Sequence, residues 1–284
     1  MSLPGLSASS DQLVQQVRQI RGAGEHRGVA ARDLDWRSAV CLDPAVMAFA
    51  VRDAGIRLGD RVAVFGLGAI GLMAVQLARL AGAAQLIAVD PIAPRRALAT
   101  RFGADAALEP GEDGGLAVRR LTRQHRAGLP GPAAAQKPPR PVPVLGGYRE
   151  VPTQWGNLGV DVAVEASGST HALREAIRAT RFGGTICLLS YYSGEAVGLR
   201  LGEEFHLNRQ TLVSCRAESL PLREAPGWTL ERLAQTALSW LATGRLRTEG
   251  LVTPIVPFVD SPAAYQEIDE HPERSIKLGV RFDP

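Results

Sequence analysis

Cysteine is scarce in this 284-residue chain: Cys41, Cys187 and Cys215 stand far apart in sequence, and no CxxC pair occurs. That usage argues against a disulfide framework or a structural zinc site and fits a reducing compartment. An excess of one charge is missing too. The 32 basic and 29 acidic residues leave a net charge of +3, and no segment carries a basic stripe, so nucleic acid is not an expected partner. Long apolar runs are absent. The longest, residues 70–80, is interrupted by Gln76 and Arg79 and is too short to cross a bilayer, so no membrane partner is expected. The opening MSLPGLSASSDQLVQQ lacks the basic start and apolar core of a secretory signal, and a cytoplasmic location is expected. The five histidines include no i, i+4 pair and no HExxH, which removes an independent metal site of that kind. What is present is ordinary for a globular protein: 45% hydrophobic and 21% charged residues, in a chain long enough for one large or two modest domains.

Against that background one stretch stands out, RVAVFGLGAIGLMAVQLARLAGAAQLIAVD, from Arg61 to Asp90. It reads as a buried strand, a glycine turn, an apolar helix and a second strand ending in an acid. Gly66, Gly68 and Gly71 fill the G-x-G-x-x-G pattern, and Asp90 follows Gly66 by twenty-four residues. Gly66 permits the tight turn, Gly68 lets a pyrophosphate approach the backbone, and Gly71 lets helix and strand pack closely. A helix starting near Ala69 aims its free N–H groups and positive dipole end at the phosphates. Asp90 is placed to accept hydrogen bonds from the adenosine ribose. The partner implied is a dinucleotide.

Around this unit the chain alternates strands and helices. Residues 1–35 are read as an N-terminal extension, poorly ordered or a short helix over 11–20 stopped by Gly22 and Gly24. Asp35 is a candidate cap for a helix containing Trp36, Ala39 and Val40. A further helix over 44–54 ends at Gly55. After Asp90 come a helix over 94–102, a short strand after Gly103, a strand over 160–165, a helix over 172–180 and a strand over 185–190. A strand near 212–215, a helix over 230–241 and a C-terminal return segment over 251–284 complete the order. This alternation predicts an α/β fold, a Rossmann-type doubly wound parallel sheet occupying residues 36–284. Residues 123–157, with Pro130, Pro132, Pro138, Pro139, Pro141, Pro143 and Pro152, predict a surface insertion, partly polyproline II. Lys137-Pro138-Pro139-Arg140-Pro141 also has the form of a ligand for proline-reading domains.

GIRLGDRVAVFGLGAIGLMAVQLARLAGA, AVDPIAPRRALATRFGADAAL, GVDVAVEASGS and FGGTICLLSYYSG together resemble the medium-chain dehydrogenase/reductase superfamily, in particular its zinc-type alcohol, polyol and threonine dehydrogenases. The ending GLVTPIVPFVDSPAAYQEIDEHPERSIKLGVRF is similar to that family's C-terminal segment, and the similarity runs from about Asp35 to Phe282 outside the proline-rich insertion. The resemblance implies a nicotinamide-dependent oxidoreductase moving a hydride between a small alcohol or carbonyl substrate and its cofactor. It implies that Gly66, Leu67, Gly68, Ala69, Ile70 and Gly71 hold the pyrophosphate and that Asp90, with Arg95 nearby, holds the adenosine ribose. An acid at Asp90 favours NAD over NADP, while Arg95 and Arg96 leave NADP open. Ala166 and Ser167 are expected near the adenine side, Ser190 and Tyr191 beside the nicotinamide ribose, Ser214 to Arg216 against the carboxamide, and Lys277 either near the pyrophosphate or as a solvated strand-end lysine.

The catalytic half of that family is not matched. Its zinc members begin with a β-rich (GroES-like) domain of about 100–150 residues bearing a cysteine and a Gly-His-Glu segment, whereas the match here begins after about 35 residues. Three protein ligands are needed for a catalytic zinc, and zinc is therefore not expected. Cys41, twenty-five residues before Gly66, and Asp43 are the nearest ligand candidates, with a small buried cysteine as the alternative role for Cys41. His26 reads as an exposed histidine. For proton transfer, Tyr191, Tyr192 and His206 are candidates; a packed aromatic or a structural hydrogen bond is the other reading of each. Two functions stay open: a dehydrogenase completed by a separate catalytic-domain chain or a homodimer partner, and a non-catalytic NAD(P)-binding module.

Overall fold

The computed structural model describes residues 34–124, 140–144, 147–151, 158–216 and 226–282. The helix expected over 11–20, His26 and the Lys137–Pro139 part of the proline motif lie outside them. The chain enters through α1 (Trp36–Val40), whose N-cap is Asp35: its carboxylate accepts from the Arg37 N–H at 2.8 Å. It continues into α2 (Leu42–Ala48) and a 3-10 turn, Phe49–Ala54, which Gly55 ends in the left-handed conformation. The expected single helix over 44–54 is thus two pieces.

Six strands form one parallel sheet. They are β1 (Arg61–Phe65), β2 (Gln85–Val89), β3 (Ala106–Leu108), β6 (Val160–Glu165), β7 (Thr180–Leu188) and β8 (Thr211–Ser214), in the spatial order β3-β2-β1-β6-β7-β8. Parallel neighbours require crossovers, which α3 (Ala69–Leu80), α4 (Ala93–Arg101), α5 (Gly114–Gln124) and α6 (Thr170–Ala179) supply. Alternate residues of the central strands feed two cores. Val62, Val64, Leu86, Val162 and Val164 pack with Leu72, Met73 and Val75 of α3 on one face. Ala63, Phe65, Ile87 and Ile186 pack with Val118 of α5 and Leu173 and Ile177 of α6 on the other. Both faces are covered, so the strands read as continuous apolar runs rather than alternating ones.

Sequence spacing misses several features. Helix α5 follows Gly114 in an arginine-rich run and packs through Val118. A short helix α7 (Glu204–Leu207) precedes β8, while α8 (Leu230–Ala242), which follows β8, matches the helix expected over 230–241. The return segment holds β9 (Val252–Pro257), α9 (Ser261–Glu270) and β10 (Lys277–Arg281), with β9 and β10 paired in parallel as a separate ribbon. Inside the proline-rich insertion, β4 (Arg140–Val144) and β5 (Gly147–Val151) form an antiparallel hairpin. A two-stranded ribbon is all edge, so prolines are tolerated where a central strand would exclude them. Cys187 and Cys215, far apart in sequence, are brought to an Sγ–Sγ distance of 3.0 Å as free, buried thiols, because β7 and β8 are neighbours. Among the described residues, no helix is long and apolar enough to cross a membrane.

At the N-terminal edge of the sheet one carboxylate ties three strands. Asp161 of β6 accepts from the Arg61 N–H of β1 at 2.8 Å and from the Arg181 guanidinium of β7. Burial pushes its carboxyl up, but these hydrogen bonds and the two arginine charges outweigh it and hold the group below its usual range. A depressed carboxyl contributes stability above its unfolded pKa and loses it as pH falls through the folded value. Asp161→Asn is therefore expected to cost about 1–3 kcal/mol at neutral pH. The gap from wild type should close as pH falls below ~3.8, as read by urea unfolding across that range; a gap that persists in acid would reject the assignment.

Candidate cofactor site

Strand order reverses between β1 and β6, and in an open α/β sheet the crevice at the carboxyl ends of such strands is where a dinucleotide binds. The loops leaving the two strands meet there at less than a side chain's distance. Gly66 has φ +86°, and a Cβ on it would lie 2.6 Å from the Cβ of Ser167. A Cβ on Gly71 would lie 1.9 Å from the Gly66 carbonyl oxygen. These two glycines are packing requirements. Gly68 differs: it caps α3 with ordinary backbone angles, and a Cβ there would have no neighbour within 4 Å. The first helical bond runs from Leu72 N–H to Gly68 O at 2.9 Å, so the N–H groups of the first turn, including Ala69 and Ile70, have no intrahelical acceptor. An open cradle at a positive helix end fits a pyrophosphate.

The acid at the end of β2 closes one side of this cradle. Asp90 is buried, with Oδ2 accepting from Leu67 N–H at 2.7 Å and Oδ1 from Ile92 N–H at 2.8 Å. Each oxygen keeps a further lone pair for a ribose hydroxyl. The Arg95 guanidinium, expected beside the ribose, donates to the Ser275 and Pro272 carbonyls at 2.7 and 3.0 Å and holds the return segment against α4. Arg96 donates to the Asp90 and Pro91 carbonyls, both at 2.8 Å, and to Glu109 at 3.0 Å. Lys277 opens β10 two residues beyond Ser275, where its charge acts on the Cys41 thiol.

The other half of the crevice is built on Glu165. Ala166 N–H donates to Phe65 O at 2.8 Å, which sets the loop from β6 beside that from β1. The Glu165 carboxylate, wholly buried, then accepts from Ser167 N–H at 2.7 Å, Gly168 N–H at 3.3 Å and the hydroxyls of Ser167 and Tyr192. Gly168 brings the end of β7 close: a Cβ there would meet the Tyr191 carbonyl at 2.9 Å and the Ser190 Cβ at 3.7 Å. Thus Ala166, Ser167, Ser190 and Tyr191 converge. The Tyr191 ring is 89% exposed, whereas the Tyr192 hydroxyl is turned inward. Burial, the Glu165 hydrogen bond and its charge push the Tyr192 hydroxyl far up, so it remains a donor. Sequence reasoning misses Glu165 as a site residue; an acid ending an otherwise apolar strand is the signal that marks it.

Three candidates fall elsewhere. His206 is exposed on α7, and two residues on Asn208 O accepts from Gly183 N–H at 2.7 Å near the start of β7. That is the edge opposite the strands' carboxyl ends, so His206 does not reach the nicotinamide side. Cys41 is wholly buried in the apolar core, and burial pushes its thiol up to about 11 despite the nearby Lys277 charge. Its place in the core matches the small buried cysteine that is the alternative reading of this residue. Asp43 lies in the first turn of α2. Among the described residues no group of three or more His, Cys, Asp or Glu side chains is arranged to hold a metal.

The contrast between the glycines is testable. Gly66→Ala should cost roughly 2–4 kcal/mol from left-handed strain plus overpacking, seen as a lower unfolding midpoint. Gly68→Ala should stay within ~0.5 kcal/mol of wild type yet weaken NADH at least ~tenfold by fluorescence titration; unaltered NADH affinity would show that nothing occupies this cradle.

Residues 69–233 match the family model described as "Zinc-binding dehydrogenase". The chain is 41% identical over 250 residues to D-guloside 3-dehydrogenase of Escherichia coli (strain K12), aligning 87% of its own length with 62% of that protein, so it spans less than two thirds of that relative. Among solved structures it resembles L-idonate 5-dehydrogenase from Escherichia coli str. K-12 substr. MG1655 at TM-score 0.62 and 20% identity, covering 88% of this chain and 58% of that one. A putative zinc-binding dehydrogenase from Sinorhizobium meliloti 1021, bound to NADP, matches at TM-score 0.56 and 23% identity over 87% of this chain and 58% of that one. The two structural likenesses carry the Rossmann fold, and the family match, over more than half of the chain, carries membership: this chain belongs to the zinc-binding dehydrogenase family of the medium-chain dehydrogenase/reductase superfamily.

Proposed function

We propose that this chain is the cofactor-binding part of a nicotinamide-dependent oxidoreductase that prefers NAD and acts on a secondary hydroxyl of a sugar or glycoside, or on the matching carbonyl. The observation that carries the reading is the open cradle at Gly68, set at the start of α3 and bordered by the Asp90 carboxylate. A small anion, two ribose hydroxyls and a helix N-terminus are complementary in charge and hydrogen bonding. Preference for NAD follows from Asp90, which would repel a 2′-phosphate, and from the arginines: Arg95 and Arg96 are already engaged with carbonyls and Glu109. The sugar class rests on the similarity to D-guloside 3-dehydrogenase.

When bound, a nicotinamide cofactor would supply the hydride acceptor or donor for the carbinol/carbonyl pair. The chain's own share is to fix the pyrophosphate at residues 66–71, the adenosine ribose at Asp90, and the nicotinamide ribose at the Ser190–Tyr191 turn. Substrate polarisation is assigned to no residue of this site. The exposed aromatic face of the return segment suits completion by a second chain: Phe258 and Phe282 stack with centroids 4.9 Å apart, and Val259 and Tyr265 are exposed beside them. A second copy or a separate catalytic-domain chain would cover it.

A non-catalytic NAD(P)-binding module is the second reading. Metal analysis with an alcohol-oxidation assay separates the two: stoichiometric zinc or turnover without added protein would reject the module. Asp90→Ala is expected to weaken NADH by at least ~tenfold and NADPH by less, measured as paired dissociation constants. Equal losses would show that Asp90 does not select the cofactor.

A further inference from the structure

Glu165 is a fully buried acid with no cationic partner among the described residues. Its side chain is satisfied by two backbone N–H groups and two hydroxyls, all neutral, and among the described residues no Lys, Arg or His forms an ion pair with it. Asp90, buried on the β2 side of the same crevice, is likewise held by backbone N–H groups alone, whereas acids away from the crevice have arginine partners. Asp161 has two arginines, and Glu175 and Glu204 share Arg178 at 3.1 and 3.3 Å. Removing a carboxylate from water without a cation is costly, and its field is poorly screened in such a site.

Position gives that field a target. Strand order divides the crevice at β1 and β6: Asp90 closes the β2 side, which receives the adenosine, so the nicotinamide half lies over β6, β7 and β8. Glu165 is the last residue of β6, and Tyr192, which donates to it, follows the Ser190–Tyr191 turn of β7. The resemblance sets Ala166 and Ser167 near the adenine side, but strand order puts Glu165 itself, the last residue of β6, on the β6–β8 side of the switch point, beneath the nicotinamide half. Oxidised and reduced cofactors carry the same pyrophosphate and riboses and differ in one unit of charge, on the nicotinamide ring.

Resting on the dinucleotide reading above, we infer that the uncompensated Glu165 carboxylate, held by Tyr192 and Ser167, sets the balance between the two cofactor forms by binding the cationic NAD⁺ ring in preference to the neutral ring of NADH. In the step R₂CHOH + NAD⁺ → R₂C=O + NADH + H⁺, the carbinol loses two electrons and the ring gains them with the hydride, while the hydroxyl proton leaves to solvent. The ring's positive charge disappears in that step, and its attraction to Glu165 disappears with it. The reduced cofactor is then held less tightly and leaves more readily, which suits turnover in the direction of alcohol oxidation. Tyr192 is a positioning residue in this scheme, acting on the nicotinamide only through Glu165.

The test is the ratio of dissociation constants for NAD⁺ and NADH, measured by calorimetry on the purified chain. Glu165→Gln keeps the shape and removes the charge; it should shift the ratio toward NADH by at least about fivefold. Glu165→Asp keeps the charge and should hold the wild-type ratio even if both affinities drop. Tyr192→Phe leaves the charge in place with one donor fewer, and should move the ratio toward NAD⁺. This variant decides the matter alone if Glu165→Gln does not fold. Equal weakening of both forms in Glu165→Gln, or in Tyr192→Phe, would make the cluster purely structural and overturn the inference. Wild type that binds neither form would remove the dinucleotide reading itself, an outcome distinct from binding with an unmoved ratio.

Discussion

The site depends on one steric constraint: two loops and a helix meet where no side chain fits. Gly66 lies against Ser167, and Gly71 lies against the Gly66 carbonyl, so β1, α3 and the loop after β6 are locked together through backbone atoms. A Cβ at either glycine would force these pieces apart. The separation of β1 and β6 crossovers to opposite faces of the sheet opens a crevice, and the glycine contacts make that crevice narrow and rigid at its floor. Gly68, one position over, is spared such contact, which leaves an opening at the positive end of α3.

Around that floor, carboxylates divide the work. Asp90 ties the glycine loop to the end of β2 and keeps lone pairs facing the crevice. Glu165 does the equivalent for the loop after β6 and reaches across to β7 through Tyr192. Asp161 fastens β1, β6 and β7 at the other end of the same strands, where arginines neutralise it. The charge is balanced away from the crevice and left unbalanced within it. A site for a ligand whose ring changes charge during reaction can use that imbalance.

The family relationship covers the half of the molecule that binds cofactor. The return segment presents an exposed aromatic pair, and Trp36 of α1 lies near Gly279. The return segment is nevertheless anchored to the Rossmann core by Arg95 and by the burial of Leu246 and Leu251. It is a built surface.

Local sequence pattern was enough for the sheet and the cradle. Apolar strand runs, helices of matching length and three glycines at fixed spacing are local signals, because strand pleat, helix period and left-handed backbone are properties of neighbouring residues. Thus β1, α3, β2, β6 and the Asp90 terminus were legible to within a few residues. Helix α5 was not, since its arginine-rich face hides a single packing stripe, and neither was the pairing of β9 with β10, which joins segments some twenty-five residues apart. The folded chain was needed to establish that Arg95 serves the return segment, that His206 faces the wrong edge, that Cys187 touches Cys215, and that Tyr192 donates to Glu165 under the crevice. Those facts depend on which strand ends become neighbours. Parallel strands are joined through crossovers, so residues that meet at their ends are separated by a whole helix in sequence, and no local pattern records the meeting.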